Sequence, residues 1–281
     1  MNLEQLVGTT LCAHFDFRLV ELIDAGGMGV LYRAIQEPFK RSVAVKVLRP
    51  ELLKTEYKAR FFQEAQIIAQ LTDSNTVRIV DFGEAENLLF IVMEYIKGTS
   101  MDQFVAMHGP VLQGHVVHIA RQVCGSLAEA HQLGIIHRDI KPANIIIAKE
   151  IDDPWHVKLL DFGLARDLRY RGFTTPGTIV GTPRWVSPEA IRGQPIDGRT
   201  DLYGVGLVML HALTGRHPFS TRTARSTMNA HLKRDVPDIA QLNPDVSVSP
   251  ALEQLVRSLL EKRPDDRPSS AEELLRALRD T

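Results

Sequence analysis

Ile136-His137-Arg138-Asp139-Ile140-Lys141-Pro142-Ala143-Asn144 is the stretch on which the reading of this chain turns. Five chemically distinct side chains stand in it at fixed spacing: His137, Arg138, Asp139, Lys141 and Asn144. At roughly one residue in twenty per position, chance delivers such a run on the order of once in ten thousand chains of this length, so coincidence is set aside. Asp139 is a carboxylate able to orient and deprotonate a hydroxyl. Lys141 can neutralise charge on a phosphoryl group in flight, and Asn144 offers the hard oxygen that Mg²⁺ takes.

Working outward, Asp161-Phe162-Gly163 closes the run Val157-Lys158-Leu159-Leu160, a strand ending in a carboxylate. The same tripeptide occurs earlier as Asp81-Phe82-Gly83. That copy precedes the central stretch and runs straight into a polar turn and another strand, so it is read as structural. Further upstream, Ala25-Gly26-Gly27-Met28-Gly29 lies between two strand-like runs. It is either a plain turn or a backbone cradle for phosphates, which glycines permit because no Cβ intervenes. It has no P-loop lysine and no helix follows, which excludes Walker and Rossmann readings. Lys46, in Val43-Ala44-Val45-Lys46, is either an edge lysine or a buried cation paired with Glu64. Glu64 is the acid in a helical pattern otherwise marked by Gln63, Gln66 and Gln70. Such a pair would hold Lys46 on the α- and β-phosphates of a nucleotide.

The 281 residues suit one domain of two lobes, and 44% hydrophobic against 24% charged residues excludes disordered and fibrous classes. A formal net charge of −1 supplies no global field for nucleic acid or anionic lipid. Cys12 and Cys124 form no disulfide framework. The N-terminus has acid where a signal peptide needs base, and the most apolar run, Leu202 to Leu213, is too short to span a bilayer. Strand patterns are expected at Phe15–Ile23, Val43–Leu48, Val77–Phe82 and Leu88–Glu94, with a helix through Phe61, Ala65, Ile68 and Leu71. Beyond Gly98, helices are expected around Gln113–Leu133, Thr200–Leu213, Ala251–Leu260 and Ala271–Leu278. The resulting class is α+β, strand-rich then helix-rich, with a cleft expected at the junction.

In this order the motifs resemble the eukaryotic-like Ser/Thr protein kinases, and within them the bacterial branch. Gly26-Gly-Met-Gly29, Ile91-Val-Met-Glu-Tyr95, Gly181-Thr-Pro-Arg-Trp-Val-Ser-Pro-Glu189 and Asp201-Leu-Tyr-Gly-Val-Gly206 carry the likeness over about residues 15 to 279. The resemblance implies a bilobal fold: an antiparallel-sheet N-lobe with one key helix over 1–96, and a mainly helical C-lobe over 97–281. It implies ATP as cofactor with Mg²⁺, or Mn²⁺ in its place, held by Asn144 and Asp161. The nucleotide would contact Ile23, Ala25, Gly26, Gly27, Met28, Gly29, Leu31, Ala44 and Lys46. Met93 would guard the rear of that pocket, and the backbone of Glu94, Tyr95 and Ile96 would read the adenine. Leu31 stands where the family usually has valine. Catalysis would fall to Asp139, Lys141, Lys46, Glu64, Asn144 and Asp161.

The resemblance further implies a buried pair between Glu189 and Arg267, and an anchor for the catalytic loop at Asp201. Lys141, together with Thr182 as a hydroxyl bridging Asp139 and Lys141, favours a Ser/Thr over a Tyr acceptor. Arg138 and Arg166 would clamp a phosphate on Thr174, Thr175 or Thr178, although a merely polar loop is the competing reading for any one of these threonines. The implied partner is a protein with a Ser/Thr acceptor. A second copy of the chain is a candidate partner for trans-autophosphorylation, and neither nucleic acid nor a membrane segment is expected. The catalytic domain is expected in the cytoplasm, with membrane tethering of a longer chain left open.

Three features depart from the pattern. Asp24 replaces the first family glycine, at a penalty for phosphate of about 0–1 kcal/mol in a solvated loop. Lys149 to Trp155 lengthens a turn and is read as a solvated hairpin tip rather than a metal site. His115 and His118 share a helical face but lack the further ligands zinc requires. A non-catalytic scaffold would be favoured by loss of Lys46, Asp139, Asn144 or Asp161, and all four are present. A small-molecule phosphotransferase would usually lack the segment from Gly181 to Glu189, which is also present.

Overall fold

The computed structural model describes residues 3–27, 29–49, 55–148, 150–162, 183–219 and 221–281. The expectations at Met28, Gly163, Arg166, Thr174, Thr175, Thr178 and Thr182 lie outside these. The described residues fall into two compact units, 3–72 with 77–97, and 73–76 with 98–162 and 183–281.

In the smaller unit, β-branched and aromatic runs build six strands: β1 (Thr10–Cys12), β2 (Asp16–Ala25), β3 (Gly29–Glu37), β4 (Arg41–Leu48), β5 (Ile79–Ala85) and β6 (Leu88–Glu94). They pair antiparallel in the order β1-β2-β3-β4-β6-β5, and helix α1 (Thr55–Ile68) follows β4 in the chain. Period-two alternation sorts their side chains. Val43, Val45 and Val47 join Phe17, Tyr32, Phe90 and Val92 in one apolar core. Each such burial is worth about 1.5–3 kcal/mol. The opposite parity carries Leu31, Lys46 and Ile91 in one cross-strand row, with Ala44 beside Met93 in the next. The core therefore fixes which residues the other face presents, because a one-residue slip would invert every strand.

The larger unit is helical: α2 (Met101–His108), α3 (Gln113–Gln132), α4 (Pro188–Arg192), α5 (Gly198–Thr214), α6 (Ala224–Lys233), α7 (Ile239–Leu242), α8 (Pro250–Leu259) and α9 (Ala271–Ala277). A small antiparallel sheet, β7 (Thr99–Ser100), β8 (Ile145–Ile147) and β9 (Val157–Leu159), lies with it. Helix α5 is apolar on all sides and buried from Asp201 through Leu210, as a central helix must be. At Gly204 a Cβ would come within 2.7 Å of the Ile140 Cβ, so the glycine lets the central stretch lie directly on α5.

Several elements were not foreseen. The strand expected over Val77–Phe82 runs as Ile79–Ala85. Residues 73–76 belong with the larger unit, held by Leu159 N–H to Asn75 O (2.7 Å) and Asp73 N–H to Glu129 Oε2 (2.9 Å). Helix α2 escaped apolar periodicity, although its Ser100/Gln103 capping box is written in the sequence. Within the insertion, residues 150–155 are only partly a solvated tip. Ile151 is fully exposed, but Trp155 stacks on His115 (4.4 Å between ring centroids) and meets Phe104 edge-on. Asp153 accepts from His118 Nε2 at 2.8 Å. The two histidines thus dock the hairpin onto α3, and among the described residues no cluster of His, Cys, Asp or Glu suited to a metal ion forms.

Candidate functional site

The central stretch becomes a loop pinned from beneath. Asp201, in the first turn of α5 and 1% exposed, accepts the N–H of His137 (2.8 Å), the N–H of Arg138 (2.7 Å) and His131 Nε2 (2.8 Å). Those bonds support Arg138 in the left-handed conformation at φ +64, which costs a non-glycine residue of order 1–3 kcal/mol. Asp161 is the second non-glycine residue of this region with positive φ, at +57. Both strained positions flank the proposed chemistry.

His137 links the two. It is fully buried, and its Nε2–H donates to Leu160 O at 2.7 Å, since a carbonyl can only accept. Its Nδ1 is therefore the acceptor for the Asp139 N–H at 3.2 Å. Burial holds its pKa below the ordinary histidine value, in keeping with a neutral ring. Its ring centroid lies 4.6 Å from that of Phe162, the two rings tilted by 52°. One uncharged imidazole thereby ties the residues on either side of Asp161 to the backbone of Asp139.

At the loop surface, Lys141 Nζ lies 2.8 Å from Asp139 Oδ2. Asn144 Nδ2 donates to Asp139 O at 2.9 Å and to its Oδ2 at 3.2 Å. That assignment of the amide leaves Asn144 Oδ1 as its oxygen for another partner. Asn144 O accepts the Leu160 N–H (2.8 Å) at the end of the β8–β9 ladder, which brings Asp161 alongside. An amide oxygen plus a carboxylate is a donor set that fits Mg²⁺, which prefers one or two protein oxygens and completes its shell with phosphates and water.

The smaller unit groups Leu31, Ala44, Lys46 and Met93 on the face of its sheet away from the apolar core. Ile23 sits at a register shift in β2 and is 44% exposed. Gly29 is required by packing, because a Cβ there would fall 2.3 Å from Val47 O. Gly26 N–H returns to Gly29 O (2.9 Å), which closes the turn. Asp24 Oδ1 accepts the Ala25 N–H at 2.9 Å, so this carboxylate occupies a loop donor as well as adding charge. Glu94 donates its N–H to Arg78 O, and Arg78 returns its own N–H to Glu94 Oε1, both at 3.0 Å. Tyr95 and Ile96 follow in the segment that leaves β6. Lys46 and Glu64 are both half-buried.

Around α5 the Glu189–Arg267 pair is bidentate, with both bonds at 2.8 Å and both side chains at most 2% exposed. Burial pushes the Glu189 carboxyl up, but Arg267 and the Thr200 hydroxyl outweigh it and hold the pKa below the usual range. Sequence patterns missed a second anchor. His217 Nε2 and His231 Nε2 both donate to Arg184 O, at 2.5 and 3.1 Å, fixing that main chain. Histidines so far apart in sequence offer no local motif. Burial keeps both neutral, His217 at about 4 and His231 at about 3.

A six-stranded antiparallel unit followed by a helical unit bearing this Asp–Lys–Asn loop defines a protein kinase catalytic domain. The protein kinase domain family matches residues 17–277, and the chain belongs to it, within the bacterial Ser/Thr type. It is 40% identical over 275 residues to serine/threonine-protein kinase pkn3 of Myxococcus xanthus, covering 96% of this chain and 50% of that one. It is 37% identical over 265 residues to PknB of Mycolicibacterium smegmatis (92% and 41% covered) and 34% over 259 residues to PrkC of Bacillus subtilis (92% and 39%). The chain thus spans half or less of the length of these relatives. Among solved structures, the Mycobacterium tuberculosis PknI kinase domain superposes with a TM-score of 0.74 at 27% identity, covering 98% of both chains. Rad53 1-466 in complex with AMP-PNP gives 0.78 at 28%, covering 92% of this chain and 64% of that one.

Proposed function

We propose that the chain transfers the γ-phosphate of ATP, with Mg²⁺, to Ser/Thr hydroxyls of proteins. The observation that carries this is the convergence of Lys141 Nζ and Asn144 Nδ2 on Asp139 Oδ2. The two contacts hold the carboxylate in one orientation, where it accepts and aligns an incoming hydroxyl. Lys141 then stands beside the transferred group to offset its charge. Asn144 Oδ1 and Asp161 are the residues that would hold Mg²⁺, which when bound draws the phosphate oxygens together and neutralises them. Loose phosphoryl transfer needs little covalent help, so positioning carries most of the rate.

In the smaller unit, Lys46, steadied by Glu64, would hold the α- and β-phosphates, with Ala44, Leu31, Ile23 and Met93 around the base and Glu94 to Ile96 presenting backbone groups to it. The AMP-PNP of the Rad53 relative supports a nucleotide of this class. Residues 1–96 are assigned to nucleotide binding and 97–281 to catalysis and acceptor binding. Thr182 would bridge Asp139 and Lys141. Autophosphorylation at Thr174, Thr175 or Thr178, read by Arg138 and Arg166 and carried out between two copies, would switch the enzyme on.

Radiolabelled ATP should label both the chain itself and a general acceptor protein in the presence of Mg²⁺ or Mn²⁺. No incorporation into either would leave a non-catalytic scaffold as the reading. Asp139→Asn should lower turnover by about 10²–10⁴-fold. Mass-spectrometric mapping should find phosphate on the three threonines and lose it in Asp161→Ala. Undiminished activity in the triple Thr→Ala variant would remove the switch.

A further inference from the structure

Beside Lys141, the larger unit holds an open cavity of about 600 Å³. Its wall carries three cations, Lys141, Arg184 and Arg216, with Trp185 and His211 between them. Asp102 is the one acid among its described lining residues. Lys141 already faces Asp139, but no ion pair between described residues uses Arg184 or Arg216, whereas Arg199, Arg257 and Arg267 of the same unit are each paired. Both arginines are exposed.

The cations are presented on a prepared frame. The Arg184 carbonyl is clamped by His217 and His231, and Tyr203 OH donates to His231 Nδ1 at 2.8 Å to set its ring. Trp185 packs edge-on against His217 (4.9 Å) and against His211 (5.6 Å). His211 lines the cavity beside Arg216, and burial holds its pKa below the ordinary histidine value, in keeping with a neutral ring. Guanidinium groups without an ion-pair partner among the described residues favour carboxylate or phosphate, which match their planar fork.

We propose that this cavity selects acceptor segments bearing an anionic side chain, a carboxylate or a phosphorylated hydroxyl, close to the Ser/Thr that is modified. The proposal rests on reading the Asp139 loop as the transfer site, because that is what makes the neighbouring occupant an acceptor. Arg184 and Arg216 supply the attraction, and Asp102 opposes it, limiting how much negative charge is accepted. A chain with almost no net charge would otherwise exert no preference of this kind.

The test is fluorescence anisotropy without nucleotide, using one labelled serine peptide in four forms: flanked by glutamates, by phosphoserines, by lysines and by alanines. The anionic forms should bind at least about tenfold more tightly than the lysine form, the scale expected of charge-assisted bonds. Arg184→Gln/Arg216→Gln should erase the difference, Asp102→Asn should enlarge it a few-fold, and Arg263→Gln, an exposed site elsewhere, should leave it alone. If the double variant melts early, Arg216→Gln alone should still weaken anionic binding about threefold. A larger gain for phosphoserine than for glutamate identifies an acceptor already phosphorylated nearby; an equal gain identifies an acidic one. Equal binding of all four peptides, tighter binding of the lysine form, or a preference that survives the double variant with unchanged melting would overturn the proposal. Anionic binding without any phosphate transfer would instead refute the transfer reading and leave this selectivity standing.

Discussion

Asp81-Phe82-Gly83 and Asp161-Phe162-Gly163 are the same three residues put to different physical use. Asp81 lies within the regular strand β5 and is 6% exposed. Its carboxylate is taken by the N–H of His14 (3.1 Å), His14 Nδ1 (2.8 Å) and the Phe82 N–H (2.8 Å). Phe82 leans on Phe62, and a Cβ at Gly83 would meet the Ala13 Cβ at 2.8 Å. Asp81 and Gly83 fasten the amino-terminal segment to the sheet, and Phe82 packs against α1. Asp161 instead follows the short strand β9, in a left-handed conformation, with its neighbours bound through His137 to the Asp139 loop. A carboxylate inside a strand becomes a fastener; one held on a strained backbone at a strand end is the one proposed to receive a cation. Position in the fold, not identity of the tripeptide, separates the two roles.

The sharpest way to break that contrast is to exchange the damage. Asp161→Ala should reduce phosphate incorporation by 10³-fold or more, since a charge-stabilising group is removed, with little change in melting temperature. Asp81→Ala should do the reverse, costing about 1–3 kcal/mol of stability through lost and orphaned hydrogen bonds while turnover per folded molecule stays near the parent value. Activity assays paired with urea unfolding read both arms, and loss of turnover in Asp81→Ala with none in Asp161→Ala would invert the assignment.

A larger stability effect than that of Asp81 is expected where a fastener is ionic and fully buried. Arg267→Met should cost about 3–5 kcal/mol by leaving Glu189 buried without its cation, visible as an early urea midpoint. Acidification probes the same class of anchor. The unfolded chain protonates His217 and His231 near pH 6.5, whereas the folded chain resists until about 4 and about 3. Folding stability should therefore be complete above pH 6.5 and fall as pH drops through that window, by up to about 1.4 kcal/mol per pH unit for each histidine. Glu189, its pKa depressed, adds to the loss below its ordinary range of about 4.5. A urea midpoint that is flat between pH 7 and 5 would contradict the buried neutral rings. The smallest effect belongs to Asp24→Gly, which should lower the nucleotide KM by no more than about fivefold, corresponding to at most ~1 kcal/mol.

The two regions also mark what a sequence discloses. The Asp139 loop was legible because its chemistry is concentrated in nine consecutive residues, and the strands of the smaller unit because Val43, Val45 and Val47 alternate with their neighbours. The Glu189–Arg267 pair, 78 positions apart, was reached only through a family pattern. The Arg184 carbonyl and its two histidines were not reached at all, since backbone acceptors leave no trace in residue types. Helix α2 was missed because its signal is a cap rather than a stripe. The docked hairpin was missed because Trp155 among acids reads as exposed until α3 supplies His115 and His118.

Gly26 and Gly27 have almost nothing within 4 Å of where a side chain would begin, whereas Gly29 is closed against Val47. That asymmetry makes the turn between β2 and β3 a natural mounting point for a spectroscopic reporter. A cysteine placed at Gly27 could carry an environment-sensitive dye without disturbing the sheet, once exposed Cys12 is replaced; Cys124 is buried, its thiol pushed up by burial, and would stay unlabelled. The protein would then report the proposed nucleotide optically, in real time and without isotopes.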